Sequence, residues 1–333
     1  NSVLSGPKTP IRAIMGTSTA TFLRPMAQVI GSAMRLPFTG DINTLRSSLA
    51  SVNAMREAIP EAWDIFKTRL NSYWAGDVAT IKSRFVEYTP GDEKWKVLEH
   101  WTENSGKATD GDKAAFRIAN LARSLNDNKF LTYSTKIMAA TDDTFGYILQ
   151  RSRAKEKAVR EALENSSQGQ WIDINPQSLR EAETRFLNQI TDADGNVIDE
   201  AVKFAQKEVT LTTDLTGFAK GLDAAFQQTP WARPFFLFAR TGVNGLALTA
   251  KHTPGFNFLV KEWNDIAFAK PGGDLSNLAK YGIFNTEDLM NAKALQAGRL
   301  AIGSSVIMMA NMHFMNGGLT GNGPTDRSQR QVW

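Results

Sequence analysis

The sequence predicts a mostly α-helical fold, an extended multi-helix assembly with little or no β-sheet. Three observations predict it. Apolar residues recur at spacings of three and four through most of the 333 residues. Asp and Pro stand where such segments begin, as capping and first-turn residues do. Alternating apolar and polar runs are scarce, and the best of them, KEVTLTTDL, is short.

The first section, 1–40, is poor in charge and rich in Ala, Gly, Ser and Thr. Ile11, Ile14, Met15, Phe22, Leu23, Met26, Val29, Ile30 and Met34 recur at helical spacing. Pro10 suits a helix start, and Pro25 is expected to kink or divide the helix. Gly16, Ala20, Ala27 and Gly31 are small enough to let another helix approach closely.

The second section, 41–210, is charged and amphipathic. Asp41 is expected to cap a helix through Ala58, and Pro60 to open the next, with Trp63, Phe66, Leu70 and Trp74 at spacings of three and four. Asp92 caps a segment with Trp95, Leu98 and Trp101 on one face, and Asp110 or Asp112 caps KAAFRIANLARSL. The longest helical pattern runs over 128–165. Its far half, RSRAKEKAVREALEN, alternates charge and reads as solvent-exposed. INPQSLREAETRFLNQI carries Pro176 in its first turn, and a turn at 192–200 leads into IDEAVKFAQ.

The third section, 211–333, thins in charge again and contains the apolar segment 300–319, LAIGSSVIMMANMHFMNGGL. That length would cross a hydrocarbon core. Asn311, His313, Asn316 and three glycines favour a buried or protein-lined helix over a lipid-facing span.

Hydrophobic residues make up 42% and charged residues 22%, which describes a foldable chain. The absence of cysteine excludes disulfides, zinc thiolates and a thiol nucleophile. Net charge is +4. Lys8, Arg12, Arg24 and Arg35 all precede the first acid, Asp41, and account for that excess. They form either a solvated basic face or a contact for an anionic surface, lipid headgroup or phosphate. No secretory leader is visible, and the chain, from NSVLSGPKTP to QRQVW, reads as an excerpt of a longer polypeptide.

Motifs that carry chemistry fail on spacing. His100, His252 and His313 do not pair at ligand spacing. DADGNVIDE places Gly195 two positions early for a calcium loop and Lys203 where the bidentate Glu belongs. SGPKT lacks the two-glycine phosphate frame, and no Gly-x-Ser-x-Gly elbow occurs. Glu181 and Glu183 read as ordinary helix surface. The expectation is a segment that is not an enzyme, with no catalytic, cofactor-binding or metal-binding residues.

One stretch asks for a role: QQTPWARPFFLFARTGVNGLALTA, at 227–250. Trp231, Arg233, Phe235, Phe236, Phe238 and Arg240 combine broad aromatic surface with Arg heads, on a backbone fixed by Pro230 and Pro234. Such an element anchors a protein interface or lies at a membrane boundary. The plainer alternative is a core corner between helices.

Three segments resemble large internal virion polypeptides (ejection or inner-core proteins) of short-tailed bacteriophages. They are NSVLSGPKTPIRAIMGTSTATFLRP, TLTTDLTGFAKGLDAAFQQTPWARPFFLFARTGVNGL and GLTGNGPTDRSQRQVW, in the family's order and bracketing the chain. The middle of the chain, 41–210, carries no motif of that family. The resemblance implies a structural protein of the inner core above the portal, inside the virion. It is ejected into the host envelope to help form a channel for genome delivery. The implied partners are other ejection proteins, the portal and further copies of the chain, with double-stranded DNA and the host membrane as candidate contacts. The alternative is a scaffold segment of a polypeptide whose murein-cleaving transglycosylase domain lies outside 1–333. A third reading is a membrane-active helical protein unrelated to phage.

Overall fold

The computed structural model describes residues 8–75, 113, 133–166, 175–192, 197–213 and 233–316. Of these, 86% are helical, and no strand occurs among them. A single antiparallel bridge joins Thr191 to Val197 across the turn that precedes the helix capped by Asp199. The helices are α1 (Lys8–Thr39), α2 (Ile42–Ala75), α3 (Tyr133–Asn165), α4 (Pro176–Ile190), α5 (Glu200–Val209), α6 (Arg233–His252), α7 (Lys261–Phe268) and α8 (Thr286–Met315). Short 3-10 helices occupy Phe256–Leu259 and Ser276–Tyr281.

The chain forms two compact units, each discontinuous in sequence. One comprises 1–19 and 57–148, the other 20–56 and 149–333. The compositional sections do not predict this division, because α1, α2 and α3 each contribute residues to both.

Capping chemistry sets the helix starts, at Asp41 as the sequence suggests. Asp41 accepts the Thr44 amide at 3.0 Å at the head of α2. Asn175 accepts from the Gln177 amide with Pro176 in the first turn of α4, Asp199 caps α5 and Asn285 caps α8. The prolines depart from expectation. α1 runs through Pro25 and Pro37, and α2 runs through Pro60. Each proline forfeits one backbone hydrogen bond, yet the helices remain unbroken. The expected division at Pro25 and fresh start at Pro60 do not occur.

In the first unit, α2 buries Ala58, Ala62 and Tyr73, and α3 buries Ala140, Phe145 and Ile148. The Tyr73 hydroxyl donates to Asp143 at 2.6 Å, and Tyr147 donates to Glu61. Trp63 stacks on Phe66 at 5.4 Å and stays exposed.

The second unit is a packing of α1 and α2 segments with most of the remaining helices. Its apolar core is small-grained. Ala50, Val159 and Leu163 cluster with Leu179, while Ile266, Leu278, Ile283 and Leu289 form a second cluster. Buried hydroxyls join the helices. Ser32 meets Ser48 at 3.2 Å, and Ser51 meets Ser152 at 2.6 Å. Of the small residues noted in 1–40, Ala27 and Gly31 make a close helix crossing. A methyl group at Gly31 would overlap the Ala294 carbonyl, and one at Gly298 would overlap that of Ala27. The pair of small residues four apart on each helix brings α1 and α8 backbone to backbone.

Two burial expectations reverse. The far half of α3 is not a solvated face: Ser152, Ala154, Glu156, Ala158, Val159 and Leu163 are buried. Its charges alternate because its neighbours surround it with counterions. Lys155 reaches Glu183 of α4 at 2.8 Å, and Lys157 reaches Asp199 at 3.2 Å. Arg153 pairs with Asp288 of α8, and Arg160 donates to Thr44 at 2.9 Å. Glu183, read as surface, is buried for the same reason. The segment 300–319 reverses in the other direction. From 304 to 316 every residue of α8 and its cap is exposed.

Candidate functional site

Two features of the second unit stand out: a buried ion network and the uncovered end of α8.

The network centres on Glu208, at the end of α5 and 4% exposed. Its carboxylate binds three cations from three helices. These are Arg24 of α1, Lys251 of α6 at 2.6 Å and Arg299 of α8 at 2.6 Å. Lys251 also pairs with Glu262 of α7. Burial alone would push the Glu208 carboxyl up. Arg299, Lys251 and Arg24 outweigh burial and hold it well below the usual carboxylate range. Burial pulls the Arg24 guanidinium below its ordinary value, opposed chiefly by Glu208. A second string continues through α1 and α3. Gln28 donates to Glu156 at 2.7 Å, and Arg153 binds both Glu156 and Asp288. Burial lowers the Arg153 pKa, but Glu156 and Asp288 more than reverse it and fix the cation.

These groups are paired and held by packing, which gives a structural clamp joining six helices. Among the described residues no cluster of His, Asp and Glu could hold a metal ion.

The end of α8 is the opposite case. Val306, Met308, Met309, Met312, Phe314 and Met315 are each at least half exposed, and Ile307 nearly so. No charge falls between Leu300 and Thr325. A helix that is apolar all round and exposed all round lacks the neighbours that its composition demands. Among the described residues no helix is long and apolar enough to cross a membrane. Smaller apolar exposures occur at Met26, Ile30 and Met34 on α1 and at Phe256, Phe258, Leu259, Phe268 and Phe284 around α7.

The residues singled out from sequence separate. Of the basic set, Arg24 is committed to Glu208, and Arg35 donates to the Met290 carbonyl at 2.9 Å. Neither is a free surface cation, because a lone Arg on an apolar helix face is drawn to the nearest buried acceptor. Lys8 and Arg12 lie on the first turns of α1. Of the aromatic set, Arg233, Phe235, Phe236, Phe238 and Arg240 lie on the first half of α6, and Trp231 lies outside the described residues. The same run holds a residue whose role the sequence reading missed. Asn244 donates to the Leu211 and Thr213 carbonyls, both at 2.9 Å, and ties α6 to the chain leaving α5. Glu208 was also missed. Its signal was the lone Arg24, which required an acid from elsewhere.

No family model, curated protein or solved structure matches the chain.

Proposed function

We propose that this chain is a structural, non-catalytic subunit of a larger assembly, an internal virion protein of a short-tailed phage that helps form the genome-delivery channel. The observation that carries the assembly reading is the end of α8. Just over three turns of helix, uncharged and exposed throughout, gain stability when surrounded by partner helices or by lipid. The ion network supports the same reading. It commits the chain's buried charge to holding a rigid unit and leaves apolar surface for contact. The phage assignment rests on the resemblance of the three segments that bracket the chain.

The full chain is expected to form higher oligomers or to aggregate in detergent-free buffer as concentration rises. Partner ejection proteins or detergent should reverse this. Sedimentation velocity across a concentration series measures it. A clean monomer at every concentration would contradict the proposal.

A further inference from the structure

A second uncharged apolar surface lies on the helix that α8 crosses. Met26, Ile30, Met34 and Phe38 stand four residues apart on α1, and all four are exposed. They form a ridge beside the row that carries Ala27 and Gly31. The two cations of this stretch, Arg24 and Arg35, are committed to Glu208 and to the Met290 carbonyl. From Met26 to Phe38 the helix rises about 18 Å, and from Ser304 to Met315 the exposed arm of α8 rises about 17 Å.

The arm cannot cover this ridge in its own chain. α1 and α8 cross antiparallel: Arg35 bonds Met290, Gly31 abuts Ala294, and Ala27 abuts Gly298. α8 is unbroken through Met315, and Gly303 abuts the His252 carbonyl, which fixes the root of the arm on the end of α6. The arm therefore leaves the crossing toward the start of α1, while the ridge runs toward its end. Lipid is a poor cover for the arm. It is too short for a hydrocarbon core of about 30 Å. It has no charged face with which to lie among headgroups. Asn311 and His313, two residues apart, stand on nearly opposite sides of it, so one of them would meet acyl chains at any tilt.

We propose that the arm of α8 in one copy docks on the α1 ridge of a second copy. The proposal rests on the assembly reading and gives it a partner and a surface. The two surfaces match in length and in lack of charge. Methionine on both, at 308, 309, 312 and 315 of the arm and at 26 and 34 of the ridge, lets them adapt to each other. Each copy gives one arm and receives one, so the contact is head to tail and repeats into a ring or a filament.

The test uses the full chain and two variants changed at exposed positions. Ile30→Glu with Met34→Glu alters the ridge, and Met308→Lys with Met312→Lys alters the arm. Each alone should keep the parent's melting temperature and lose the higher oligomers in sedimentation velocity. Mixed in equal amounts they should regain them, because intact arms find intact ridges and lysine arms meet glutamate ridges. Oligomers that survive the ridge change but not the arm change would overturn this docking site and leave the assembly reading standing. So would a mixture that fails to recover. A parent chain that is monomeric at every concentration would overturn both. Vesicles of phosphatidylcholine and phosphatidylglycerol that bind the parent and not the arm variant, with no self-association, would assign the arm to lipid and overturn the second copy as occupant. A further measurement stands even if a variant fails to fold. The chain has no cysteine, so Met34→Cys and Met309→Cys proteins can be mixed and treated with a short thiol crosslinker. They should join to each other more than either joins to itself, and absence of the mixed product would overturn the proposal.

Discussion

Residues 286–299 and 304–315 belong to one helix, α8, and meet opposite surroundings. The first half carries Glu287, Asp288, Lys293 and Arg299, and it is packed into the second unit with Asp288 8% and Arg299 3% exposed. The second half carries no formal charge, and it stands in solvent with Met308 61% and Phe314 64% exposed. In a self-sufficient globular domain these assignments would be exchanged. The charged half is tolerated inside because each ion meets a counterion or carbonyl. The apolar half has no cover among the described residues, and under the proposed function assembly supplies it. The difference teaches that this fold commits its charges to internal pairing and leaves its apolar run exposed, the reverse of the usual division.

The largest expected effect strikes the charged half's partner. Glu208→Leu leaves Arg24, Arg299 and Lys251 facing one another with the central anion gone. Breaking a buried network in this way costs about 3–5 kcal/mol. A urea melt should show it, and a change under about 1 kcal/mol would mean that the network is incidental to stability. Gly298→Leu comes next. Its side chain cannot fit against the Ala27 carbonyl, so α1 and α8 must separate, at a cost of about 1–3 kcal/mol or more. A variant with unchanged melting temperature would break the close crossing.

pH separates Asp142 from Glu208. In the first unit, burial and the neighbouring charge of Asp143 raise Asp142 from 3.8 to about 7. The folded state therefore binds more protons than the unfolded chain between about pH 4 and 7, so this contribution to stability falls as pH rises through that window. Glu208 has the opposite sign. Its contribution is present above its ordinary value and is lost only as pH falls through its depressed folded value. Amide exchange near Asp142 should accelerate from about pH 4.5 to about pH 7.5, after correction for intrinsic rates, while exchange near Glu208 holds steady. Parallel behaviour of the two would contradict the assignment.

Smaller effects are expected at the surface. Met308→Lys with Met312→Lys should leave the melting curve within about 0.5 kcal/mol of the parent, while oligomers disappear. Smallest is the effect of Arg24→Gln on DNA affinity. Removing a side chain that touches one phosphate flattens the salt dependence of DNA binding by about one unit. Because Arg24 is bound to Glu208, that slope should not move, and the variant should lose stability instead. A flattened slope in a stable variant would return Arg24 to the surface.

Much of the helix layout was legible in the sequence because local signals determine it. Asp41 caps and Pro176 sits in a first turn where the sequence says. The small residues Ala27 and Gly31 announced a close crossing. Burial was not legible. The alternating charges of RSRAKEKAVREALEN look the same on a solvated helix as on one ringed by Glu183, Asp199 and Asp288, and those partners are remote in sequence. Pro25 and Pro60 read as breaks because propensity is local, whereas packing along α1 and α2 keeps each helix continuous. The apolar run at 300–319 implied cover, and the cover is not among the described residues. The ion network was half visible, as a lone Arg in an apolar helix, while its acid sat on an unremarkable amphipathic one.

Hydrogen exchange along α8 tests the central claim most directly. In dilute full chain, amides of 286–299 should exchange slowly, and those of 304–315 should exchange near the rate of a frayed helix. As concentration rises into the oligomeric range, the second half alone should gain protection. Strong protection of 304–315 in the monomer, or no gain on assembly, would contradict the account.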